Sequence, residues 1–210
     1  MSAYDEVYLQ PARVNLGRML DVAVDDLGFG LGEFYGLFLA SELSGRFGAG
    51  DYSLITGCSG AELALGVLSS VRPDAADRPA VRYRYDRGPE YWCGWALARY
   101  QWKTALSFET IERIAPIEEI RLQYDAFHEM DIRHLDDWMD ARRARFYRTP
   151  LCMRRMAARL SQAQLARESG VPVRSIQQYE QRQKDLNKAA AETVARLARA
   201  LFCSVEDLLE

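Results

Sequence analysis

The sequence predicts an all-α protein with two domains, a larger one over residues 1–140 and a smaller one over residues 151–210. Apolar residues recur at helical spacing through most of the chain, and this spacing is the main sign of amphipathic helices. Prolines and glycines interrupt it repeatedly, which predicts many short helices. With 210 residues and 49% hydrophobic content, the chain is long enough to bury a core.

The two predicted domains carry opposite charge. Residues 141–210 contain 14 Lys or Arg against 7 Asp or Glu, whereas residues 1–140 contain 13 against 23. A basic module beside an acidic one indicates phosphate contact by the first and a different task for the second.

Three helices are expected in the first 71 residues. Apolar spacing predicts them over residues 14–27, residues 33–47 and residues 59–71. The third is preceded by Ser59 and has Glu62 three residues later, the arrangement of a capping box.

The run from Val81 to Tyr85 alternates apolar and charged residues, which predicts a short extended segment. A strongly aromatic helix is expected from Pro89 onward. Within it, Trp95 and Trp102 are two turns apart and share a side. Aromatic side chains either build the core or form a pocket or partner surface, so these two tryptophans are candidate contacts for a ligand or protein partner.

Short helices continue over residues 108–146, broken by Pro116 and near Met130. His128 and Glu129, followed by His134, invite comparison with the zinc motif H-E-x-x-H. Their separation of six residues turns the second about 240° away from the first, so no metal site is expected. We expect no cofactor either.

The four cysteines lie far apart, and no two form a C-x-x-C pair. This spacing argues against both a zinc site and a disulfide framework and predicts reduced thiols. The positions are Cys58, Cys93, Cys152 and Cys203.

Residues 141–150 are predicted to be a basic linker that ends at a domain boundary near Pro150. A charge run of this kind is usually solvated. Placed before a DNA-binding module, it could instead reach phosphates or a narrow minor groove. The arginines concerned are Arg142, Arg143, Arg145 and Arg148.

Residues 160–180 follow the pattern of two short helices that meet at a tight turn, with Gly170 ending the first. The inner face is apolar and consists of Leu160, Leu165, Ala166, Val171, Ile176 and Tyr179. Polar side chains are left facing outward, namely Gln162, Arg174, Ser175, Gln177 and Gln178. An outward row of Arg and Gln suits the DNA major groove, where Arg pairs with guanine and Gln with adenine.

This stretch and the residues up to Glu210 resemble the lambda-repressor-like helix-turn-helix family, also called Cro-like or XRE. The resemblance rests on S-Q-x-x-L-A from Ser161, on G-V at Gly170, on S-I-x-x-Y-E from Ser175 and on the closing L-A-R-A-L-F-C-S-V-E-D-L-L-E. It implies a five-helix DNA-binding domain whose second paired helix enters the major groove. It also implies base contacts by Val173, Arg174, Gln177 and Gln178 and phosphate contacts by Gln162 and Ser175.

Two features depart from the family pattern. Pro172 stands where a Ser or Thr N-cap is usual, and proline cannot cap a helix by its side chain. The loop after Glu180 lacks the usual glycine and is about three residues longer, by comparison with the family. Further phosphate contacts are expected in this loop, at Arg182, Lys184 and Lys188.

Two more helices complete the predicted domain. Apolar spacing places one over residues 189–201, with Val194, Leu197 and Leu201 facing inward. Ser204 caps the last one, with Asp207 at the capping-box position.

These observations favour a sequence-specific DNA-binding transcriptional regulator, most simply a repressor, that binds double-stranded DNA as a homodimer. The N-terminal domain loosely resembles uncharacterised helical domains fused to Cro-like modules, some of them encoded beside toxin-like reading frames. That resemblance implies an alternative, an antitoxin-type protein that binds a partner and represses their shared operon. A third hypothesis is an enzyme that is targeted to DNA. We expect no enzyme, because the chain has no Gly-rich phosphate loop, metal-ligand cluster or nucleophile motif.

No apolar run approaches the roughly 20 residues of a membrane helix, and the first residues have neither a basic start nor an apolar core for export. We therefore expect a cytoplasmic protein.

Overall fold

The computed structural model describes residues 2–71 and 87–209, and the chain divides into two compact units, residues 1–143 and residues 144–210. Within the described ranges every regular element is a helix, which confirms the all-α fold class. No helix there is both long and apolar enough to cross a bilayer.

In the described part of the larger unit, ten α-helices follow one 3₁₀ turn. They are α1 (Leu9–Asp25), α2 (Leu31–Ala40), α3 (Glu42–Gly48), α4 (Tyr52–Ile55), α5 (Gly60–Val71), α6 (Pro89–Thr104), α7 (Phe108–Ile114), α8 (Ile117–Arg121), α9 (Tyr124–Phe127) and α10 (Arg133–Phe146).

The centre of the larger unit is the crossing of α1 with α6, and α5 packs against α1 as well. Two glycines allow the crossing helices to touch by their backbones. A Cβ atom on Gly17 would lie 2.8 Å from the Tyr91 carbonyl oxygen, and one on Gly94 would fall on the Leu16 carbonyl. Side chains at these two positions would force the helices apart, because protein interiors have no spare volume for them.

The aromatic helix α6 supplies much of this core. Tyr91, Trp92 and Tyr100 are buried, whereas Trp95 and Trp102 are only half-buried. Some rings of this helix therefore fill the core, whereas two keep an exposed edge.

Two predicted helix boundaries were wrong. The first helix begins at Leu9 and includes Pro11, although the sequence predicted a start at Val14. Proline is tolerated there because the first-turn N–H groups have no acceptor within the helix. The second predicted helix is broken at Ser41, whose backbone is extended and whose Oγ donates to the Phe38 carbonyl.

Other predictions for this unit are confirmed. Ser59 Oγ accepts from the Glu62 N–H, and the Glu62 carboxylate accepts from the Ser59 N–H, so the capping box before α5 is present. Breaks occur at Pro116 and near Met130. The predicted extended segment over residues 81–85 lies outside the described residues.

The smaller unit contains four α-helices and two 3₁₀ turns. The α-helices are α11 (Pro150–Ala157), α12 (Gln162–Ser169), α13 (Val173–Glu180) and α14 (Ala191–Ala200), and the 3₁₀ turns are Leu186–Lys188 and Glu206–Leu208. The last 3₁₀ turn takes the place of the fifth predicted helix. The predicted bonds of Ser204 with Asp207 are present, since Ser204 Oγ accepts from the Asp207 N–H and its own N–H donates to the Asp207 carboxylate. The N-cap of the turn is Val205 instead of Ser204.

One apolar core joins the helices of the smaller unit. Its buried members are Leu151, Leu165, Val171, Ile176, Val194, Leu197, Ala198, Leu201 and Leu208. The apolar inner faces predicted for the helix pair and for α14 are therefore confirmed. The helix predicted over residues 189–201 is shorter, since Ala190 is the N-cap of α14 and Leu201 its C-cap.

Residues 141–146, predicted as the start of a basic linker, form the last turns of α10. Arg142 on this helix pairs with Glu119 and lies over the Trp138 ring. At the far side of the short connection, Thr149 caps α11 by accepting from the Cys152 N–H. The four cysteines are free thiols, as predicted.

Candidate nucleic-acid interface

The turn between α12 and α13 is fixed by local and tertiary contacts. Ser161 and Gln164 form a capping box at the start of α12, with bonds of 3.1 and 2.7 Å. Gly170 ends the helix with a φ of +67°, a left-handed conformation that a Cβ disfavours. Arg196 on α14 donates to the carbonyls of Ser169 and Gly170, which holds the turn against the rest of the unit.

Helix α13 begins at Val173 with Pro172 as its N-cap, and no side chain caps it. The missing side-chain cap is the one expected from Pro172 in place of a Ser or Thr N-cap. Proline supplies a fixed φ at the helix entry but leaves the first N–H groups of α13 without a side-chain acceptor, so these donors remain able to meet a phosphate.

One face of α13 presents polar side chains to solvent. Arg174 and Gln177 are exposed and Gln178 is half-buried, while Ile176 on the opposite side is fully buried. At about 100° per residue, the first three side chains fall within roughly 100° of one another. Val173 and Ser175, both half-buried, lie at the two flanks of this face.

A buried ion pair holds α13 to the two preceding helices. Arg155 donates to both carboxylate oxygens of Glu180, at 2.6 and 2.9 Å, and also to the Leu160 carbonyl at 2.7 Å. Gln162 Nε2 donates to the same carboxylate at 2.7 Å. The Arg155 and Glu180 side chains are 13% and 5% exposed, so α11, α12 and α13 share one desolvated polar contact.

The electrostatics of Glu180 follow from these bonds. Burial by itself would raise the pKa of this carboxyl, but hydrogen bonds from Arg155 and Gln162 outweigh it and leave the pKa below its ordinary value. Glu180 is therefore an anion at neutral pH and orients Gln162 at the edge of the helix pair. Arg155 had not been predicted as a site residue, because nothing in its local spacing relates it to Glu180, 25 positions later.

The loop after α13 replaces the usual glycine with Arg182, whose φ is +57°. Arg182 and Lys184 are exposed and line a cavity of about 290 Å³ near Thr149 and Pro150, at the start of α11. Lys188 is exposed and lies 3.6 Å from Asp185. The loop thus brings two cations to the N-terminus of a helix, where the partial positive charge of the helix also favours an anion.

The two predicted contact residues of the larger unit lie in different surroundings. Trp95 lines a separate cavity, whereas Trp102 does not. The Trp102 indole N–H donates to the Tyr4 carbonyl at 2.9 Å, and its own carbonyl accepts from the Ala3 N–H. Trp102 is therefore tied to the start of the chain.

The histidines predicted not to bind metal are also separate from each other. His128 contacts the Tyr124 carbonyl at 2.8 Å and stacks on the Tyr124 ring, and His134 is exposed near the start of α10. Among residues 2–71 and 87–209, no three His, Cys, Asp or Glu side chains are grouped so as to hold a metal ion.

A basic helical unit with a capped helix-turn-helix and an exposed Arg and Gln face has the architecture of a DNA-binding regulatory domain. Residues 153–208 match the family described as "Helix-turn-helix", of the XRE or lambda-repressor-like type. This match covers a little over a quarter of the chain and places the C-terminal unit in the class of DNA-binding regulators. Comparison with curated proteins and with solved structures found no match.

Proposed function

We propose that the protein is a sequence-specific transcriptional regulator that binds its operator as a homodimer and represses transcription by occupying it. The observation that carries this proposal is the exposed face of α13, where Arg174 and Gln177 stand opposite the buried Ile176. The ion pair of Arg155 and Glu180 keeps this face in a fixed position relative to α12. A rigid helix with such a face suits insertion into a major groove.

Base readout belongs to the residues on and beside this face. Arg174 is suited to a bidentate contact with guanine, and Gln177 and Gln178 are suited to adenine. Val173 at the helix start would contact an apolar base edge such as the thymine methyl.

Phosphate contacts belong to the residues around this face. Ser175 flanks it, and Gln162 keeps a second amide N–H beyond the one donated to Glu180. Arg182 and Lys184 would neutralise a phosphate near the start of α11. Contacts of this second kind set position and affinity, whereas base contacts set sequence preference.

Dimerisation follows from the size of the readout surface. One helix pair touches only a few base pairs, which is too few to distinguish one operator within a genome. We propose that residues 1–143 supply the dimer contact. Bound genomic fragments selected by the full chain should contain a pseudo-palindrome with half-sites about 10 base pairs apart or a multiple of this. Light scattering that shows a full-length monomer at micromolar concentration, with and without operator, would contradict the homodimer.

Repression itself is tested with a reporter gene behind the selected operator. Expression of the wild-type chain should lower reporter output, and expression of the Arg174→Ala variant should restore it, because the variant loses a specific base contact. A rise in output with the wild-type chain would instead indicate an activator.

The antitoxin-type alternative is favoured by two features of the larger unit. Residues 1–140 carry an excess of acidic side chains. In addition, the large apolar side chains of Val7, Tyr52 and Leu122 are 70–72% exposed. An acidic surface of this kind suits a basic protein partner. Crosslinking followed by purification of the full chain from its host should then recover one stoichiometric partner, and recovery of the homodimer alone would argue for the simple repressor.

A further inference from the structure

The larger unit contains a cavity of about 530 Å³ against helix α6. Four aromatic side chains and two arginines are prominent in its lining, namely Tyr91, Trp92, Trp95, Tyr124, Arg13 and Arg87. Its volume is in the range of pockets that bury small organic molecules, and the mixture of aromatic walls with a few polar groups is typical of such pockets.

Arg13 is the unusual member of this lining. Only 9% of the residue is exposed, and its guanidinium carbon lies 3.2 Å from the centroid of the Trp95 ring. Burial, followed by the nearby Arg99 charge, lowers its pKa to about 10, so it remains a cation at neutral pH. Its Nε and Nη2 atoms are buried and have no hydrogen-bond partner among the described residues.

These two nitrogen atoms point to a particular kind of ligand. The N–H groups of Nε and Nη2 lie on the same edge of the guanidinium plane, the edge that binds both oxygens of one carboxylate side-on. The Tyr91 hydroxyl, also buried in the cavity lining, likewise has no partner among the described residues. Within the described part of the chain, the cavity lining thus has three buried donor atoms without acceptors. Folded proteins rarely retain such an arrangement unless something else satisfies it.

The acidic groups within residues 2–71 and 87–209 do not fill this role. Asp131 lines the cavity, but its carboxylate is bonded to the Arg133 side chain and N–H at 2.9 Å. Asp136 acts on Arg13 electrostatically, yet its carboxylate pairs with Arg99 at 3.0 Å and with Lys103 at 3.5 Å. The described residues therefore leave this edge of Arg13 for the acceptor of a ligand.

We propose that this cavity binds a small aromatic carboxylate, with the carboxylate on Nε and Nη2 of Arg13 and the ring against Trp92 and Tyr124. This inference rests on the proposed function, since it names the ligand class that the larger unit of the regulator senses. The two Arg13 nitrogens are covered in this structure, so side chains around this edge shift when the ligand enters. Trp92 and Tyr124 already form an edge-to-face pair, with centroids 5.8 Å apart, against which a planar ring can pack.

Selectivity should follow from the charge of the ligand. A neutral amide of the same shape brings an oxygen for one N–H but adds its own N–H donors to a site that already lacks acceptors. Hydrogen bonds to charged groups are stronger than neutral ones, so we expect the acid to bind about 10- to 100-fold more tightly than its amide.

The experiment is isothermal titration of the full chain with matched pairs of probes, indole-3-acetate against indole-3-acetamide and phenylacetate against phenylacetamide. Wild-type protein should prefer the acid of each pair, and tryptophan fluorescence should change as the ligand ring packs against Trp92. Equal binding of acid and amide, or no binding of any acid at millimolar concentration, would overturn the proposal. Tighter binding of phenyl phosphate than of either carboxylate would also overturn the assigned class.

Variants separate a ligand role from a structural one. Arg13→Met keeps a long side chain and removes the donors, so the preference for acids should vanish while the melting temperature stays the same or rises. Arg46→Met is the matched control, because Arg46 pairs with Asp51 on the surface, outside the residues that line the cavity. The control should keep the acid preference. If Arg13→Met does not fold, Arg13→Lys retains the charge without the side-on edge and should fold with weakened acid binding.

An Arg13→Met variant that folds and still prefers acids would refute the proposed contact. DNA binding is measured separately, on the operator selected by the wild-type chain without any probe. If the wild-type chain binds its operator but shows no preference for acids, only the ligand proposal is contradicted. If the chain binds no operator, the proposed function is contradicted.

Discussion

Each unit of the protein buries an arginine, and the two are treated in opposite ways. Arg155 in the smaller unit donates to both oxygens of Glu180 and to the Leu160 carbonyl. Arg13 in the larger unit stacks on Trp95 and leaves two donors without partners among the described residues. A buried cation with full partners joins helices, whereas one without them weakens the fold unless a ligand completes it.

The surroundings of each arginine match a different task. Arg155 lies on α11 and bonds directly to Glu180, the last residue of α13, so it holds the helix that we propose reads DNA. Arg13 lies on the wall of a cavity, where rigidity would be a disadvantage for a ligand that must enter. The same side chain therefore serves as a structural clamp in one unit and as a proposed binding group in the other.

The largest expected effect is on the clamp. Arg155→Ala leaves Glu180 buried without its cation and should destabilise the smaller unit by about 3 to 5 kcal/mol. Urea unfolding monitored by far-UV circular dichroism should show the transition of the smaller unit at a lower urea concentration. Tryptophan fluorescence should not change, because all four tryptophans lie in residues 1–143.

A double variant is the control for this prediction. Replacing both partners, Arg155→Met with Glu180→Leu, removes the buried charges together and should recover most of the stability. If the single and double variants are equally destabilised, the loss comes from packing and not from the unpaired carboxylate.

The next effect concerns Arg174, on the exposed face of α13. Arg174→Ala should weaken operator binding by about 1 to 3 kcal/mol and relax sequence preference, with no change in unfolding. Lys184→Ala is the matched control and should weaken all sequences alike while lowering the salt slope by about 1. An unchanged ratio of specific to nonspecific affinity in the Arg174 variant would show that this side chain does not read a base.

A smaller effect is the pH dependence of the clamp. The folded-state pKa of Glu180 lies below its ordinary value of 4.5, so its contribution to stability is complete above that value and is lost as the pH falls through the folded pKa. The urea midpoint of the smaller unit should therefore fall on acidification below about pH 4.5. Glu180→Gln should flatten this pH dependence. Some dependence should remain, because the pKa of Asp207 is also lowered.

The smallest expected effect is on the unpaired arginine. Arg13→Met should change the stability of the larger unit by no more than about 1 kcal/mol in the absence of ligand. Tryptophan fluorescence during urea unfolding measures this unit directly. A loss as large as that of Arg155→Ala would show that Arg13 is a clamp as well, and the contrast between the two units would not hold.

The sequence by itself determined the helical class, the charge division and the helix-turn-helix with its capping residues. These depend on apolar spacing, on Ser, Gly and Pro at helix ends and on a series of motifs within about 20 residues, all of which are local. Leu165, Val171 and Ile176 could be assigned to the core for this reason, and Arg174 and Gln177 to the exposed face.

Only the tertiary structure decided which distant side chains meet. Arg155 is 25 residues from Glu180, and Arg13 is 82 residues from Trp95, distances over which no helical period relates one position to the other. Trp95 and Trp102 share a side of α6 in the sequence pattern, yet one lines a cavity and the other is covered by residues near the start of the chain. Such differences arise from how helices cross, and that depends on the packing of whole faces and close contacts such as those of Gly17 and Gly94.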